Sequence, residues 1–512
     1  MAQLFESYVR KDYEDYEDFY KNYKLNVPEN FNFAYDCMDV LAEKSPDKLA
    51  MRWTNVAGDK RDFTFAEMKY YSDKTANYLK SLGIKKGDAV MLILKRHYEY
   101  WWTILALHKL GAITIPASNL LTPKDIIYRC NMADIKCIVC TADGDISHRV
   151  QEAAPECPSL KLLITTNAPE NSQWLDFHKG VDAASSEFIR PTGEEATKNS
   201  DIMLIYFTSG TTGMPKMVAH DYLYALAHIT TAAFWHRVDP DGIHLTVSDT
   251  GWGKALWGKM FGQWLCEGAV FTYDFDRFSA ADILPMFAKY QITTFCAPPT
   301  MLRMMIKQDI SQYDFSSVKH MTTAGEALNP EVYRQFEKAT GLQILEGFGQ
   351  SESTMIIGNM TGEPHKIGSM GKPAPIYDVD IIDADGKSVP AGETGEIVIN
   401  IKNGLPCGLA TCYYGDKEKT DETWHDGYYH TGDTAWRDED GFYWYVGRID
   451  DVIKSSGYRI GPFEIESVIM ELPYVLECGV SAAPDPVRGQ VVKASIVLVK
   501  GTEATEELKK EI

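Results

Sequence analysis

"YFTSGTTGMPK", residues 206–216, is a run of Gly, Ser and Thr that closes on a lysine directly after the apolar stretch "IMLIYF". A short apolar strand followed by a glycine-rich loop is where open parallel sheets present their ligand loops. Glycines let backbone N–H groups approach anionic oxygens because no Cβ blocks the way, and the hydroxyls and ammonium add further donors. The stretch therefore reads as a phosphate cradle at the end of a strand, in an α/β protein. It is not the ordinary nucleotide-binding loop, since Met217 rather than Ser or Thr follows Lys216.

Outward from that strand the chain alternates. Toward the N-terminus, residues 64–84 show helical periodicity and end at a glycine, and "DAVMLILK" reads as a strand. Helical "EYWWTILALHKLG", strand-like "AITIPAS", a helix near 123–132 and the strand "IKCIVC" follow. Beyond residue 201 the pattern recurs with "IHLTV", "AVFTY", "TTFCAPP" and "HMTTAG". Apolar strands separated by amphipathic helices imply a largely parallel sheet covered on both faces. After residue 370 the turns "DADG" and "DEDG" separate alternating stretches, which predicts small antiparallel sheets or a barrel. From Asp450 another unit begins, with "DDVIKSSGYRI", helical "GPFEIESVIMEL" and two strands, and the last residues have helical composition. The fold class is α/β: a large multi-subdomain region, 1–449, with mixed sheets covered by helices and an antiparallel barrel-like part, then a small mobile α+β domain, 450–512.

Size and charge narrow the function. With 512 residues and 45% hydrophobic content, the chain can bury several cores. A net charge of -21 and a pI near 5.0 oppose attraction to nucleic acid or to an anionic membrane face. No apolar run is long enough for a membrane span, and the charged, aromatic N-terminus is unlike a secretory signal. Ten cysteines without framework spacing suit a reducing compartment, and the cytoplasm is the expected one. Cys137 and Cys140 lie in an apolar strand-like run without a second pair nearby, so they read as core filler.

Three more clusters carry chemistry. In "EGFGQSE", residues 346–352, glycines flank Phe348 and can expose its ring to a base, while Glu352 offers a carboxylate to phosphate-bound magnesium. "YYHTGD" ends in Asp433, a candidate acceptor for two ribose hydroxyls. "GRIDDVIKSSGYRIGPFEIE", residues 447–466, brings Arg448, Lys454 and Arg459 into an acidic protein. In this order, "TSGTTGMPK", "GFGQSE", "YHTGD" and "GRIDDVIKSSGYRIGPFEIE" resemble the core motifs of the adenylate-forming acyl-CoA synthetases, over essentially residues 30–512. "VSDTGWGKALWG", "GEALNPEV" and "SAAPDPVRGQVVKA" resemble the medium-chain branch of that family.

The resemblance implies ATP, Mg2+ and coenzyme A acting with a carboxylic acid. The acid's carboxylate attacks the α-phosphorus to give acyl-adenylate and pyrophosphate, and the coenzyme A thiol then displaces AMP. It implies that Thr208, Ser209, Gly210, Thr211, Thr212, Gly213 and Lys216 envelop the β- and γ-phosphates. Gly325, Glu326 and Ala327 would line one side of adenine, with Phe348 near the other and Glu346, Gly347, Gly349 and Gln350 beside it. Ser351 would lie near the α-phosphate, Glu352 would hold magnesium, and Asp433 and Arg448 the ribose. Asp450 matches the hinge on which the C-terminal domain swings, a motion that a short polar segment suits. Ser456, Gly457 and Tyr458 match the pantetheine tunnel, and Arg459 and Arg488 coenzyme A or nucleotide contacts. No general base is needed when the nucleophile is already a carboxylate, so His220 reads as a packing or gating residue.

Two further expectations concern the ends of the reaction. The family's C-terminal domain carries a Ser-Gly-Lys-like segment whose lysine orients the carboxylate and α-phosphate. Residues 1–512 contain no such segment, and Lys509 and Lys510 lack its loop context. The C-terminal domain therefore reads as truncated, and this form is expected to adenylate slowly or not at all while keeping its nucleotide pocket. For the acid, acetate-using relatives place a tryptophan where this chain has Gly349. Its absence predicts an open pocket floor, with Trp252 and Gly253 as one wall. Each methylene buried there contributes about 0.8 kcal/mol, which favours acids of roughly four to ten carbons, branched acids or benzoate over acetate. Transfer to a carrier-protein thiol, and a nucleotide or acyl-adenylate binding protein without turnover, are the alternatives; monomer and homodimer are both open.

Overall fold

Short apolar strands, most of them followed by a helix, assemble into two large sheets. The structure, a computed structural model, describes residues 2–512 apart from 171, 209–213, 361–363, 456–457, 487 and 500, and apart from the side chains of Tyr458 and Arg459. In the first sheet Ala89–Ile93 pairs in parallel with Ile113–Pro116 and Cys137–Cys140, and Ile202–Thr208 runs parallel to Ile113–Pro116. Lys216–Asp221 then folds back antiparallel to Ile202–Thr208. The second sheet has a parallel centre of Leu49–Asn55, Ala269–Asp274, Ile243–Thr246, Thr294–Cys296, His320–Thr323 and Ile344–Gly349. Its two edges are antiparallel.

The chain does not complete one sheet before starting the next. Ile202–Thr208, which opens the second alternating run, belongs to the first sheet, while Leu49–Asn55, which precedes the first run, belongs to the second. Strand periodicity fixes which residues point inward but not which neighbour a strand takes. Between the sheets lies helix Glu99–Leu110, buried along its whole length and ended by Gly111 in the left-handed conformation. Its Trp101 donates Nε1–H to Lys259 O (2.8 Å) and its Tyr100 hydroxyl to Thr250 O (2.9 Å), so buried polar groups on both sides are satisfied. The largest apolar core draws on both sheets. Cys137 is buried in it as filler and Cys140 in a separate core on the other face of the first sheet, and burial pushes both thiols up, Cys140 to about 12.

The third sheet is antiparallel, as expected, but it does not close into a barrel. Val379–Ile382 pairs with Gly395–Asn400, which pairs with Tyr428–Arg437, and that strand takes both Trp424–His425 and Tyr443–Arg448 as partners. Among the described residues no ladder joins Val379–Ile382 to Trp424–His425 or to Tyr443–Arg448. A turn at 449–451, with Asp450 exposed, leads into a four-stranded sheet of Tyr458–Ile460, Ile453–Ser455, Gly489–Leu498 and Val475–Asp485. Its helix Pro462–Ile469 reaches the large region: Asn329 Nδ2 donates to Ser467 O (3.2 Å), and Arg334 Nη1 lies 3.7 Å from Glu471 Oε1. Among the described residues no helix is long and apolar enough to cross a membrane.

Candidate active site

The strand Ile202–Thr208 delivers Thr208, and the antiparallel return starts at Lys216, directly opposite it in register. The two ends of the phosphate-cradle run thus face each other across a ladder. Ser209, Gly210, Thr211, Thr212 and Gly213 lie outside the described residues. From the second sheet, His320–Thr323 runs out into Gly325, Glu326 and Ala327, and Ile344–Gly349 delivers Glu346, Gly347, Phe348 and Gly349. The third sheet supplies Asp433 and Arg448. All of these, with Gln350 and Glu352, line one cavity of about 520 Å³. Ligand sites of open sheets form where parallel strands end, and here the strand ends of two sheets converge beneath a third.

A polar network fixes the cavity's ribose side. Asp433 is buried, and its Oδ2 accepts from Gln350 Nε2 (2.5 Å) and Arg448 Nη1 (3.1 Å), while Oδ1 accepts from Tyr445 OH (3.1 Å). Gln350 in turn accepts from Tyr429 OH (2.6 Å). Burial raises the Asp433 pKa against the pull of Arg448. Burial pulls Arg448 down, but the facing Asp433 carboxylate outweighs it and holds the guanidinium above its usual value.

On the phosphate side, burial lowers the Lys216 pKa, and the Glu352 carboxylate opposes that shift. A partly desolvated cation of this kind gains most when an anion arrives beside it. Glu352 Oε1 accepts from Tyr413 OH (2.9 Å), and the Lys216 ammonium lies 5.0 Å from the Tyr413 ring centre. Mg2+ takes one or two carboxylates and fills its remaining positions with water and substrate phosphates, so a lone Glu352 beside a phosphate cradle fits it. His220 is fully buried, and burial holds its pKa down at about 4. Its Nε2–H donates to Ser351 O (2.7 Å) and its ring stacks on Tyr224 at 3.8 Å, so it packs beneath the 346–352 segment.

A second cavity of about 450 Å³ adjoins the first at Gly325, Glu326, Gly349 and Gln350, and is lined further by Trp252, Gly253, Lys254, Trp257 and Ser351. Trp252 is 68% exposed and stands at its rim. The open floor expected at Gly349 is not there. A Cβ on Gly349 would lie 2.3 Å from Trp257 Cη2 and 2.8 Å from Thr354 O, so the indole of Trp257 fills the vacated space. Trp257 is held by its Nε1–H, which donates to Tyr224 OH (2.8 Å). Lys254 is half-buried, its desolvation lowers its pKa, and its ammonium donates to Ala324 O.

Among the residues named from sequence, Arg488 sits exposed in the turn between Val475–Asp485 and Gly489–Leu498, its N–H bonded to Asp485 Oδ1 (2.7 Å), and lines neither cavity. Ser456, Gly457 and the side chains of Tyr458 and Arg459 lie outside the described residues. Sequence reasoning missed Tyr413, Tyr429, Tyr445, Lys254 and Trp257. Tyr429 lies within "YYHTGD", and Lys254 and Trp257 within "VSDTGWGKALWG", but nothing in those runs announces a partner on another element; Tyr413 and Tyr445 lie outside the quoted motifs.

Comparison with known proteins agrees with this geometry. The AMP-binding enzyme family matches residues 38–414, and the AMP-binding enzyme C-terminal domain matches 464–512. The mitochondrial acyl-coenzyme A synthetase ACSM3 of Pongo abelii is 40% identical over 497 residues, 95% of this chain and 83% of the relative. The anthranilate CoA ligase AuaEII, solved with anthranoyl-AMP, superposes with a TM-score of 0.85 at 25% identity, covering 95% of this chain and 90% of that one. An acyl-CoA synthetase of Brucella canis superposes with a TM-score of 0.77 at 31% identity, covering 95% and 88%. The chain belongs to the AMP-binding enzyme family, in its medium-chain acyl-CoA synthetase branch, and is an AMP-forming acid–thiol ligase.

Proposed function

We propose that this ligase joins medium-chain, branched short-chain or aromatic acids to coenzyme A, with the adenylate in the larger cavity and the acyl group in the adjoining one. The observation that carries this reading is the junction itself. The two cavities meet at Gly325, Glu326, Gly349 and Gln350, so an acyl-adenylate fits with its mixed anhydride at the shared wall. Lys216 and the N–H donors of the phosphate-cradle run stabilise charge that builds on the departing pyrophosphate. Asp433 and Arg448 hold the ribose, Phe348 faces the adenine, and Glu352 holds the Mg2+ that, when bound, neutralises phosphate charge. The neutral, buried His220 needs no proton-transfer role, because a carboxylate attacks the α-phosphorus without a base. Asp450 is the pivot between the two half-reactions in this reading, supported by its exposed turn.

Titration by calorimetry with nonhydrolysable acyl-adenylate mimics tests the reading. Mimics carrying butyryl, octanoyl, branched or benzoyl groups are expected to bind at least tenfold more tightly than acetyl, since two or more extra buried methylenes contribute about 0.8 kcal/mol each. Equal affinities across the panel would remove the second cavity from the acyl site. We place the ligase in the cytoplasm, a reducing compartment that suits its ten cysteines, seven of them buried. Fractionation that recovers it from mitochondria, as the name of its Pongo abelii relative states for that protein, would correct this.

A further inference from the structure

The ribose acceptor is carried by an irregular strand. Glu396 pairs with Thr434 and Val398 with His430, so one residue of Gly395–Asn400 faces three of Tyr428–Arg437, namely Thr431, Gly432 and Asp433. Bulges of this kind re-aim side chains and leave backbone groups without ladder partners. Gly432 sits at φ +70°, and a Cβ there would meet Arg448 Nη2 at 2.7 Å, so the chain can make this turn against Arg448 only with glycine.

Several polar groups of the bulge are held by side chains and by the turn after Arg448. Thr431 O accepts from Gln350 Nε2 and from Arg448 Nη1, both at 2.9 Å, and Gly432 O accepts from Ile449 N (2.9 Å). Thr431 Oγ1 donates to Ile397 O (2.7 Å) and accepts from Asp433 N (3.1 Å). Gly432 N–H donates to Glu396 Oε1 (2.9 Å). The second oxygen of the same carboxylate lies 2.9 Å from His430 Nδ1, and the His430 ring is stacked on His425 at 3.9 Å. One carboxylate thus ties the residue before the bulge to the residue that precedes Asp433.

We propose that Glu396 is a positioning residue for the ribose acceptor Asp433, acting through Gly432, with His430 fixing the direction in which its carboxylate faces. The inference rests on the reading of Asp433 as the ribose acceptor. Glu396 lines neither cavity; its work is to hold Gly432 N–H, for which its carboxylate is the partner. Without it, Gly432 N–H would be left unpaired beside a carboxylate whose aim depends on the next peptide bond.

The experiment compares AMP with 2′,3′-dideoxyadenosine 5′-monophosphate by calorimetry on the full chain. The wild type is expected to prefer AMP. Glu396→Ala is expected to narrow that preference about tenfold, by weakening AMP while leaving the dideoxy nucleotide unchanged. Glu396→Gln, whose amide oxygen still accepts from Gly432 N–H, should recover most of it, and His430→Ala should narrow it in the same direction. Urea midpoints establish that each variant is folded; if Glu396→Ala is not, the Gln and His430→Ala variants decide. Equal weakening of both nucleotides by these substitutions, or no weakening, overturns the proposal. If Asp433→Asn removes the preference while the Glu396 and His430 variants keep it, the positioning role alone falls. Equal wild-type affinity for the two nucleotides overturns the ribose reading and this inference with it.

Discussion

Gly349→Trp is expected to abolish binding of every acyl-adenylate mimic, not to redirect the pocket toward acetate. The position where the new Cβ must go is 2.3 Å from Trp257 Cη2 and 2.8 Å from the backbone oxygen of Thr354, so the new side chain starts inside occupied space. Backbone cannot yield cheaply, so the strain falls on Trp257, which is buried and anchored to Tyr224 OH at 2.8 Å. Tyr224 stacks on His220, and His220 holds Ser351 O, so displacement of the indole is passed to the segment that carries Gln350 and Glu352. Overpacking a core commonly costs about 1–3 kcal/mol, and a full indole exceeds the single methylenes behind that figure. The double substitution Gly349→Trp with Trp257→Ala exchanges one indole for another and is expected to restore binding with a preference for acetyl. Trp257→Ala alone should lower stability by about 3–5 kcal/mol and let longer acyl groups in. Calorimetry with the mimic panel, and urea midpoints for each variant, separate these outcomes. A folded Gly349→Trp chain that binds the acetyl mimic tightly would show that Trp257 can swing aside and that the pocket floor is open after all.

What the chain reveals before folding follows the distance over which each contact acts. Gly325 to Ala327, Glu346 to Gln350, Asp433 and Arg448, named together from the sequence, line one cavity, and each sits in a contiguous run whose local composition suggests the chemistry. The same logic fails for Gly349. Its missing side chain looks like free space until Trp257, from the helix Gly253–Lys259, is seen packed against it. Tyr413, Tyr429 and Tyr445 are missed for a related reason. Each is an ordinary strand aromatic whose hydroxyl acquires meaning only when Glu352, Gln350 or Asp433 arrives from another strand. At the level of the fold, periodicity yields the strands themselves. It is silent on the exchange that seats Ile202–Thr208 in the first sheet and Leu49–Asn55 in the second, since both sheets bury their strands on two faces.

Glu346 ties the stability of the fold to pH. Its side chain is buried beside the adenylate cavity, with Oε2 accepting from Leu328 N (3.1 Å), so it braces the loop that follows Gly325 to Ala327. Burial raises its pKa from 4.5 to about 8, against the pull of the Leu328 and Gly368 N–H groups. Between these values the folded chain keeps a proton that the unfolded chain has released. The stability contributed by the neutral carboxyl is therefore complete below about pH 4.5 and is lost as pH rises through about 8, at about 1.4 kcal/mol per pH unit. Asp221, raised to about 6 by burial, acts in the same direction but is spent by pH 6, while Lys259, lowered to about 7 by burial, acts oppositely above pH 7. Comparison with Glu346→Gln cancels both. The amide is uncharged at every pH and keeps an acceptor for Leu328 N, so urea-derived stabilities of the two chains should converge toward pH 5 and separate by roughly 3–5 kcal/mol at pH 8, with Gln the more stable. Parallel curves would mean that the two backbone donors already hold a carboxylate in the fold. The 325–327 segment would then lie against a fixed negative charge, and nucleotide binding there would weaken with the charge rather than with its protonation.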